Sequence, residues 1–433
     1  MIAVPFVYFS FLALFLYRKK KVLDIAAFII GIYAAASFFA IIRELYGIRS
    51  LGVETYQITP FASLCYCGLL TFCILPFITY SNSLIHVIKP VKREWALKIY
   101  AVLAAVRFLA VIILTKDSFI GVITGDMKVL RDAVLAGMYD GYLVQMPSVF
   151  RLIMTPLHYF FGCAWIQLFL AFYCRYIQKL PSKYFLLLVF ASISGLWMSV
   201  LEVDRSGVAY FILSFIAICI FFFPYMTRPQ KRNIIMVAFL VFGAAVVYLS
   251  ALTLAKFGGA SGDDMEEVEN GLLDYLGQSY MNFCFFFDTF DNPVKTFNLI
   301  FPFTAKLFGE EHVGAVVLQR YIGDKTGFFL GLFYTYIGHI IITAGHLIAI
   351  LYCCFYNFLS YRIFGKLSQK IVTASTAYTY LLFSTVIFLG VFTHFYAAAS
   401  VNFSAFVSLL FVIWLGEKEP SCKDVISYKE RLS

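Results

Sequence analysis

Long apolar stretches recur from one end of the chain to the other, and this feature limits the fold more than any other. Many of them reach the length of about 18 residues that a helix needs to cross a membrane. Of the 433 residues, 61% are hydrophobic and 14% are charged, whereas soluble proteins carry roughly 25% charged residues. The sequence therefore predicts an all-α, polytopic transmembrane helix bundle rather than two soluble domains.

The apolar stretches predict about eleven spans. They lie at about 2–17, 25–42, 61–80, 99–115, 152–173, 184–201, 208–223, 234–255, 338–358, 371–391 and 397–415. The predicted organisation is spans 1 to 8 in residues 1–255, a large extracytoplasmic loop with a membrane-dipping end in 256–337, spans 9 to 11 in 338–415, and a cytoplasmic tail in 416–433.

The distribution of basic residues predicts the orientation of these spans. The formal charge is +9, but the lysines and arginines lie in short clusters between apolar stretches, which is typical of cytoplasmic loops and not of a nucleic-acid surface. The cluster Arg18–Lys21 follows the first apolar stretch instead of preceding it, which favours a first span over a signal peptide. We expect the N-terminus outside and the C-terminus in the cytoplasm.

The cysteines and short motifs predict neither a disulfide framework nor a metal site. Nearly all ten cysteines lie in apolar stretches or on the predicted inner side, and no His/Cys/Asp cluster has metal-ligand spacing. There is also no phosphate-binding glycine loop, no dinucleotide fingerprint and no nucleophile elbow in the sequence. We therefore expect no metal and no cofactor.

The interval 256–337 is the one long polar segment, and we expect it to form the largest surface outside the membrane. It contains an acidic patch (Asp263, Asp264, Glu266, Glu267, Glu269), an aromatic block (Phe283, Phe285, Phe286, Phe287) and the mixed-charge segment 320–325. Its tyrosines, among them Tyr334 and Tyr336, could stack on sugar rings, although aromatic residues at a membrane boundary serve equally as lipid-facing anchors.

Arginines near the outer boundary are the candidate anion-binding residues. Arg205 follows a tight turn, where Glu202 and Asp204 could orient it, and a guanidinium there is suited to a lipid phosphate. An interfacial anchor is the alternative interpretation. Arg151 and Arg320 precede apolar segments on the same predicted side.

Arg107 lies near the middle of the predicted fourth span. It needs a polar cavity or a counter-charge, so a structural ion pair is the alternative to an anion site.

Of the six histidines, His339 lies where the long interval returns into the membrane. Its neutral imidazole could take a proton from a sugar hydroxyl, the alternative being a hydrogen-bonded boundary histidine.

These features together resemble the Wzy-type O-antigen and oligosaccharide repeat-unit polymerases. The resemblance rests on about eleven spans, one long outer loop late in the chain, the Arg205-Ser206-Gly207 opening of a span, and the segment 327–338 that returns to the membrane. At the position where many relatives carry an aspartate in a Tyr-x-Asp-Phe-Gly motif, this chain has Tyr336.

The resemblance implies a C-type glycosyltransferase that joins undecaprenyl-diphosphate-linked repeat units at the outer face of the bacterial cytoplasmic membrane. It implies membrane lipid and a chain-length regulator protein as partners, and no nucleic acid. Arginines would stabilise the leaving diphosphate. The candidates for that role are Arg205, Arg151 and Arg320, supported by Arg107 and Lys325; His339 is the candidate base, with Glu202 or Asp204 as substitutes.

Two other functions remain open at this stage. An O-antigen ligase shares the architecture and differs in its acceptor. A flippase for lipid-linked oligosaccharides is expected to have cationic residues along a central path through several spans. In this chain only Arg107 lies clearly in mid-span. A dolichol-type glycosyltransferase is disfavoured, because it is expected to carry an acidic pair in its first outer loop, where this chain has only Glu44 and Glu54.

Overall fold

The computed structural model describes residues 1–48, 56–124, 148–201, 206–257, 264–290, 300–301, 308–309, 333–369 and 371–419. The helices are α1 (Val4–Lys20), α2 (Ile25–Leu45), α3 (Pro60–Thr79), α4 (Glu94–Thr124), α5 (Ser148–Phe161), α6 (Ala164–Phe172), α7 (Ser182–Ser192), α8 (Ser194–Leu201), α9 (Ser206–Phe222), α10 (Arg228–Phe257), α11 (Asp264–Thr289), α12 (Thr335–Ala344), α13 (His346–Phe364), α14 (Ala374–Phe388) and α15 (Ala399–Trp414). Two short strands, β1 (Val87–Ile88) and β2 (Ile371–Val372), pair in parallel. The predicted mostly helical class is confirmed for the described chain.

Seven helical segments of the described chain are long and apolar enough to cross a membrane. They are Ile25–Leu45, Pro60–Leu84, Glu94–Asp117, Ser182–Leu201, Ser206–Tyr225, His346–Leu367 and Ala374–Val391. The bent pair Ser148–Phe161 and Ala164–Ile177, with an angle of 62°, makes an eighth if it counts as one span. The chain is therefore a membrane-embedded helical protein.

The expected count of about eleven spans stays a prediction, and one expected span differs in form. The stretch 338–358 is not continuous, because α12 ends and α13 begins around Gly345, whose φ of 91° breaks the helix. At the two ends of the described chain, α1 has 17 residues and α15 has 16. Both are slightly shorter than a typical membrane-crossing helix.

The chain divides into two compact units. The first comprises Met1–Leu84, Phe257–Ser368 and Tyr380–Asn402, and the second comprises Ile85–Lys256, Gln369–Thr379 and Phe403–Ser433.

The core of the first unit forms where α11 packs against α2 and α3. A Cβ added at Gly277 would lie 2.6 Å from the carbonyl oxygen of Phe39, so the backbones of α11 and α2 approach closely where a side chain would not fit. Tyr280 of α11 donates to Oγ of Ser63 at 2.8 Å, and Phe283 packs edge-on against Tyr66. These contacts bury the second half of α11.

The aromatic block of the interval 256–337 takes part in this packing. The described part of that interval includes a helix of 26 residues, and Phe283, Phe285 and Phe286 are buried within it. These rings are buried because the neighbouring helices α2 and α3 present an apolar surface to them. The hydropathy of α11 alone does not predict that surface. Glu266, Glu267 and Glu269 fall in its first half.

An ion pair also connects α2 with α11. Arg43, which is 1% exposed, donates from Nε to Oδ1 of Asp274 at 2.8 Å, and its Nη2 lies 2.6 Å from the same oxygen. The start of α2 is fixed at the other end by Asp24, whose Oδ1 accepts from the Ala27 amide at 2.9 Å. The helix is thus anchored by polar contacts at both ends.

The second unit is built around α4 and α6 to α9. Trp197 stacks on Phe119 at 3.8 Å and donates from Nε1 to Oγ1 of Thr115 at 2.8 Å. An apolar cavity of about 380 Å³ lies among α6 to α10, with Leu168, Phe211 and Val241 in its walls.

Candidate functional site

The candidate site lies in the first unit, at the first turn of α12. The backbone amides of Tyr334 and Thr335 both donate to the carbonyl oxygen of Phe392, at 3.0 and 2.9 Å. Thr335 has a φ of 64°, and its Oγ1 accepts from the Gly338 amide at 3.2 Å. This turn is held to the segment after α14, so residues from two distant parts of the chain meet there.

Two histidines are brought together by this arrangement. The rings of His339 and His394 lie 5.7 Å apart, and the ring of Tyr334 stacks on His339 at 5.8 Å. Oγ1 of Thr393 lies 3.4 Å from Nδ1 of His339. We call Tyr334, His339, Thr393 and His394 the histidine cluster.

Helix α11 contributes a polar side chain beside the chain segment that leads into the cluster. Asn282 is fully buried and donates from Nδ2 to the carbonyl oxygen of Phe333 at 2.8 Å and to Oε1 of Gln278 at 3.2 Å. Since an amide hydrogen bond buried among apolar rings fixes geometry, Asn282 holds the chain just before Tyr334.

Burial decides the protonation states of His394 and Tyr334 in the cluster. Burial, and to a smaller degree the neighbouring His339, lower the pKa of His394 to about 3. Burial raises the pKa of Tyr334 to about 12. At neutral pH the imidazole of His394 is therefore uncharged, and the phenol of Tyr334 keeps its proton.

Arg107 lies in the second unit, on α4, and is 2% exposed. Its Nη2 lies 2.9 Å from Nδ1 of His158 on α5. The expected location of Arg107 inside the helix bundle agrees with this burial, and the imidazole is a neutral hydrogen-bond partner for the guanidinium. Arg151, on the first turn of α5, is exposed on the same unit.

Five of the predicted site residues lie outside the described residues. They are Glu202, Asp204, Arg205, Arg320 and Lys325. Their roles stay predictions.

Tyr334 and Tyr336 are described, and neither presents an open ring face. Tyr336 is fully buried, with Gly390 against its ring, and Tyr334 is covered by Phe286 and His339. Protein side chains thus lie against both rings in this structure, and the stacking of these tyrosines on sugar rings stays a prediction.

Within the described ranges, no group of three or more His, Cys, Asp or Glu side chains could hold a metal ion.

Comparisons of the chain with protein-family models, with curated proteins and with solved structures give no match.

Sequence reasoning selected His339 but missed its neighbours. Thr393 and His394 lie more than fifty residues further along the chain, and Asn282 lies more than fifty residues before it. A polar pair after an apolar helix at 393–394 and a lone asparagine in the aromatic block are the sequence signals that could have found them. Chemically, the cluster places two buried imidazoles next to each other, with the hydroxyl of Thr393 beside the imidazole of His339.

Proposed function

We propose that this membrane protein is a polymerase that joins oligosaccharide repeat units carried on undecaprenyl diphosphate at the outer face of a bacterial cytoplasmic membrane. The observation that carries the proposal is the buried histidine cluster at the start of α12. A titratable side chain buried in an apolar helical protein is costly and favours a functional role. The type of reaction is inferred from the resemblance of the sequence to Wzy-type polymerases.

In the proposed reaction the growing chain leaves its lipid diphosphate and joins a hydroxyl group of the next lipid-linked unit. His339 accepts the proton of that hydroxyl, and the oxygen forms the new glycosidic bond. Negative charge develops on the departing diphosphate as the old bond breaks. Arg205, Arg151, Arg320 and Lys325 stabilise that charge, since fixed cations and forked donors favour phosphate oxygens.

Arg107 has a supporting role in this proposal. Its guanidinium is buried and lies 2.9 Å from the imidazole of His158. A guanidinium favours an anionic lipid head, because its forked donors match phosphate oxygens.

The proposal is tested by deleting the gene in the bacterium that carries it and restoring it with variants. Deletion should leave surface polysaccharide of single repeat units, and the wild-type gene should restore a ladder of polymer lengths. Arg205→Ala, expressed at the wild-type level, should leave single units. Arg18→Ala is the matched control, because Arg18 is an exposed arginine on the predicted cytoplasmic side, and it should give a normal ladder.

The same experiment separates the alternatives. A full ladder in the deletion strain would overturn the proposal. Polymer that accumulates on its lipid carrier, without transfer to a final acceptor, would identify a ligase. Repeat units trapped on the cytoplasmic side would identify a flippase.

A further inference from the structure

The proposed reaction makes no use of the apolar cavity of about 380 Å³ among α6 to α10 in the second unit. Helix α9 forms one wall of this cavity with Val208, Phe211, Ile212 and Phe215. These positions follow the spacing i, i+3, i+4 and i+7, so they share one face of the helix. The rings of Phe211 and Phe215 are nearly parallel, with an angle of 5° between their planes. The first half of α9 therefore presents a continuous apolar wall.

Helix α10 forms a second wall with Val237, Val241, Ala244 and Tyr248, which also share one helical face. At the rise of an α-helix, the segment from Val237 to Tyr248 is about 16 Å long. One leaflet of the hydrocarbon core of a bilayer is about 15 Å deep. The cavity is thus about as long as the layer that the chains of one lipid leaflet occupy.

The cavity lies at the depth of the membrane. Its walls include parts of the segments Ser182–Leu201 and Ser206–Tyr225, which are both long and apolar enough to cross a bilayer. A Cβ atom added at Gly207 would collide with Oγ of Ser199, so α8 and α9 touch each other beside the cavity. The empty space is therefore left next to α10.

One side of the cavity is open and the other is enclosed. Ile193 and Val237 in its walls are 39% and 41% exposed, whereas Phe211 and Phe215 are each 7% exposed. The outer face of α10 is apolar as well, and Phe239 on that face is 73% exposed. In a membrane-embedded protein such a surface faces lipid. The opening is thus continuous with the surface that contacts the bilayer.

The walls determine the chemistry of the occupant. Among the described residues that line the cavity, only Tyr248 has a polar atom in its side chain. Apolar cavities exclude water and take up apolar ligands. An empty cavity is unfavourable, because the lining atoms lose dispersion contacts on one side. A hydrocarbon chain from the bilayer supplies these contacts.

The volume limits the size of that chain. The cavity has about a dozen times the volume of a water molecule in the liquid, and a methylene group is similar in size to a water molecule. One acyl chain of a phospholipid fits this space. The much longer undecaprenyl chain fits only in part, and the apolar walls contain no cation that would select its diphosphate.

We propose that this cavity binds one acyl chain of a membrane phospholipid, which enters from the bilayer between Ile193 and Val237. The inference goes beyond the proposed function and does not depend on it. The bound chain fills the space beside α10 and makes the apolar contacts between α10 and α9 that their side chains do not make directly.

The full-length protein in phosphatidylglycerol vesicles tests this inference. A small fraction of the lipid carries a photoreactive diazirine in the middle of one acyl chain, and mass spectrometry locates the label after irradiation. We expect label on Phe211 and Phe215, which are 7% exposed and can be reached by lipid only from inside the cavity. Label on the exposed outer face of α10, with none on these two residues, would overturn the inference.

A variant with a filled cavity gives the matched comparison. Ala244→Phe places a ring in the cavity, and we expect the label on α9 to fall by about tenfold, which corresponds to about 1.4 kcal/mol. Ile235→Phe is the control, because Ile235 lies on the opposite face of α10 and is 45% exposed; it should keep the wild-type label. Wild-type labelling in Ala244→Phe, or an equal loss in both variants, would overturn the inference. The label on the wild-type protein decides the question even if Ala244→Phe does not fold.

A competition experiment identifies the source of the chain. Excess unlabelled undecaprenyl diphosphate is added to the same vesicles, and an equal excess of unlabelled phosphatidylglycerol is added to a parallel sample. We expect undecaprenyl diphosphate to lower the label on Phe211 and Phe215 no more than the phospholipid does. If only undecaprenyl diphosphate removes the label, the cavity binds the carrier chain and the inference is wrong.

Discussion

Gly390 lies directly against the ring of Tyr336. A Cβ atom at position 390 would lie 2.6 Å from Cδ1 of Tyr336 and 3.0 Å from its Cβ. The short helical turn Leu389–Val391 that follows α14 can therefore pack on α12 only through a residue without a side chain. This contact lies three residues before Thr393 and positions the histidine cluster.

Gly390→Ala should therefore destabilise the protein. Overpacking a well-filled interior costs about 1–3 kcal/mol, and we expect a lower temperature of unfolding in detergent. Gly31→Ala in α2 is the control, because no atom lies within 4 Å of its added Cβ. That change should be neutral or should stabilise the helix by up to about 1 kcal/mol. Equal unfolding temperatures for the two variants would contradict the close packing.

Asp274→Asn should destabilise the contact between α2 and α11. The change leaves the buried guanidinium of Arg43 without this carboxylate, which costs several kcal/mol in a fully buried pair. Asp274 is 31% exposed, so we expect a loss of about 2 kcal/mol. Unfolding by denaturant measures it, and the double variant Arg43→Met, Asp274→Asn should recover part of the loss.

The control for this ion pair is Glu94→Gln. Glu94 and Lys98 form a pair at 2.5 Å on α4, with side chains 41% and 37% exposed. Exposed pairs contribute about 0–1 kcal/mol. A larger loss for Glu94→Gln than for Asp274→Asn would contradict the role given to burial.

The buried His394 should make stability depend on pH. Its pKa is about 3 in the folded protein and near 6.5 in the unfolded chain. Its contribution is complete above about pH 6.5 and is lost as the pH falls from there towards about 3, because only the unfolded state takes up the proton, at up to about 1.4 kcal/mol per pH unit. Unfolding temperatures at pH 7.5 and pH 5 measure this effect, and His394→Gln should reduce the difference. An unchanged difference would contradict the burial of this imidazole.

His339→Ala should slow polymerisation without weakening the binding of lipid-linked substrate. Removal of a general base costs about 10²–10⁴-fold in rate, whereas the contacts to diphosphate remain. Single-turnover kinetics and a binding assay with the lipid-linked unit separate the two effects. His86→Ala, a histidine on the predicted cytoplasmic side, is the control and should keep the wild-type rate.

The membrane-embedded helical class could be predicted because the lengths of the apolar stretches follow directly from the sequence. The helix α11 could not be predicted, because Glu266, Glu267 and Glu269 make its first half a polar segment. Its burial depends on α2, more than two hundred residues earlier. The pairing of Arg43 with Asp274 depends on the same approach of two distant helices.

The break at Gly345 was missed for a different reason. Hydropathy continues unchanged through the end of α12 and the start of α13, and only the φ of 91° separates the helices. His339 could be selected because a titratable residue stands out where a polar interval meets an apolar one. The proximity of His394 to His339 could not be predicted, because it depends on the packing of the turn after α14 against α12.

The most direct test of the proposed function uses the purified protein in lipid vesicles, supplied with lipid-linked repeat units extracted from the deletion strain. We expect the wild-type protein to produce a ladder of oligosaccharide lengths and to release one undecaprenyl diphosphate for each new link, and Arg205→Ala to produce neither. Units that remain single with the wild-type protein, or that cross the vesicle membrane without being joined, would contradict the account.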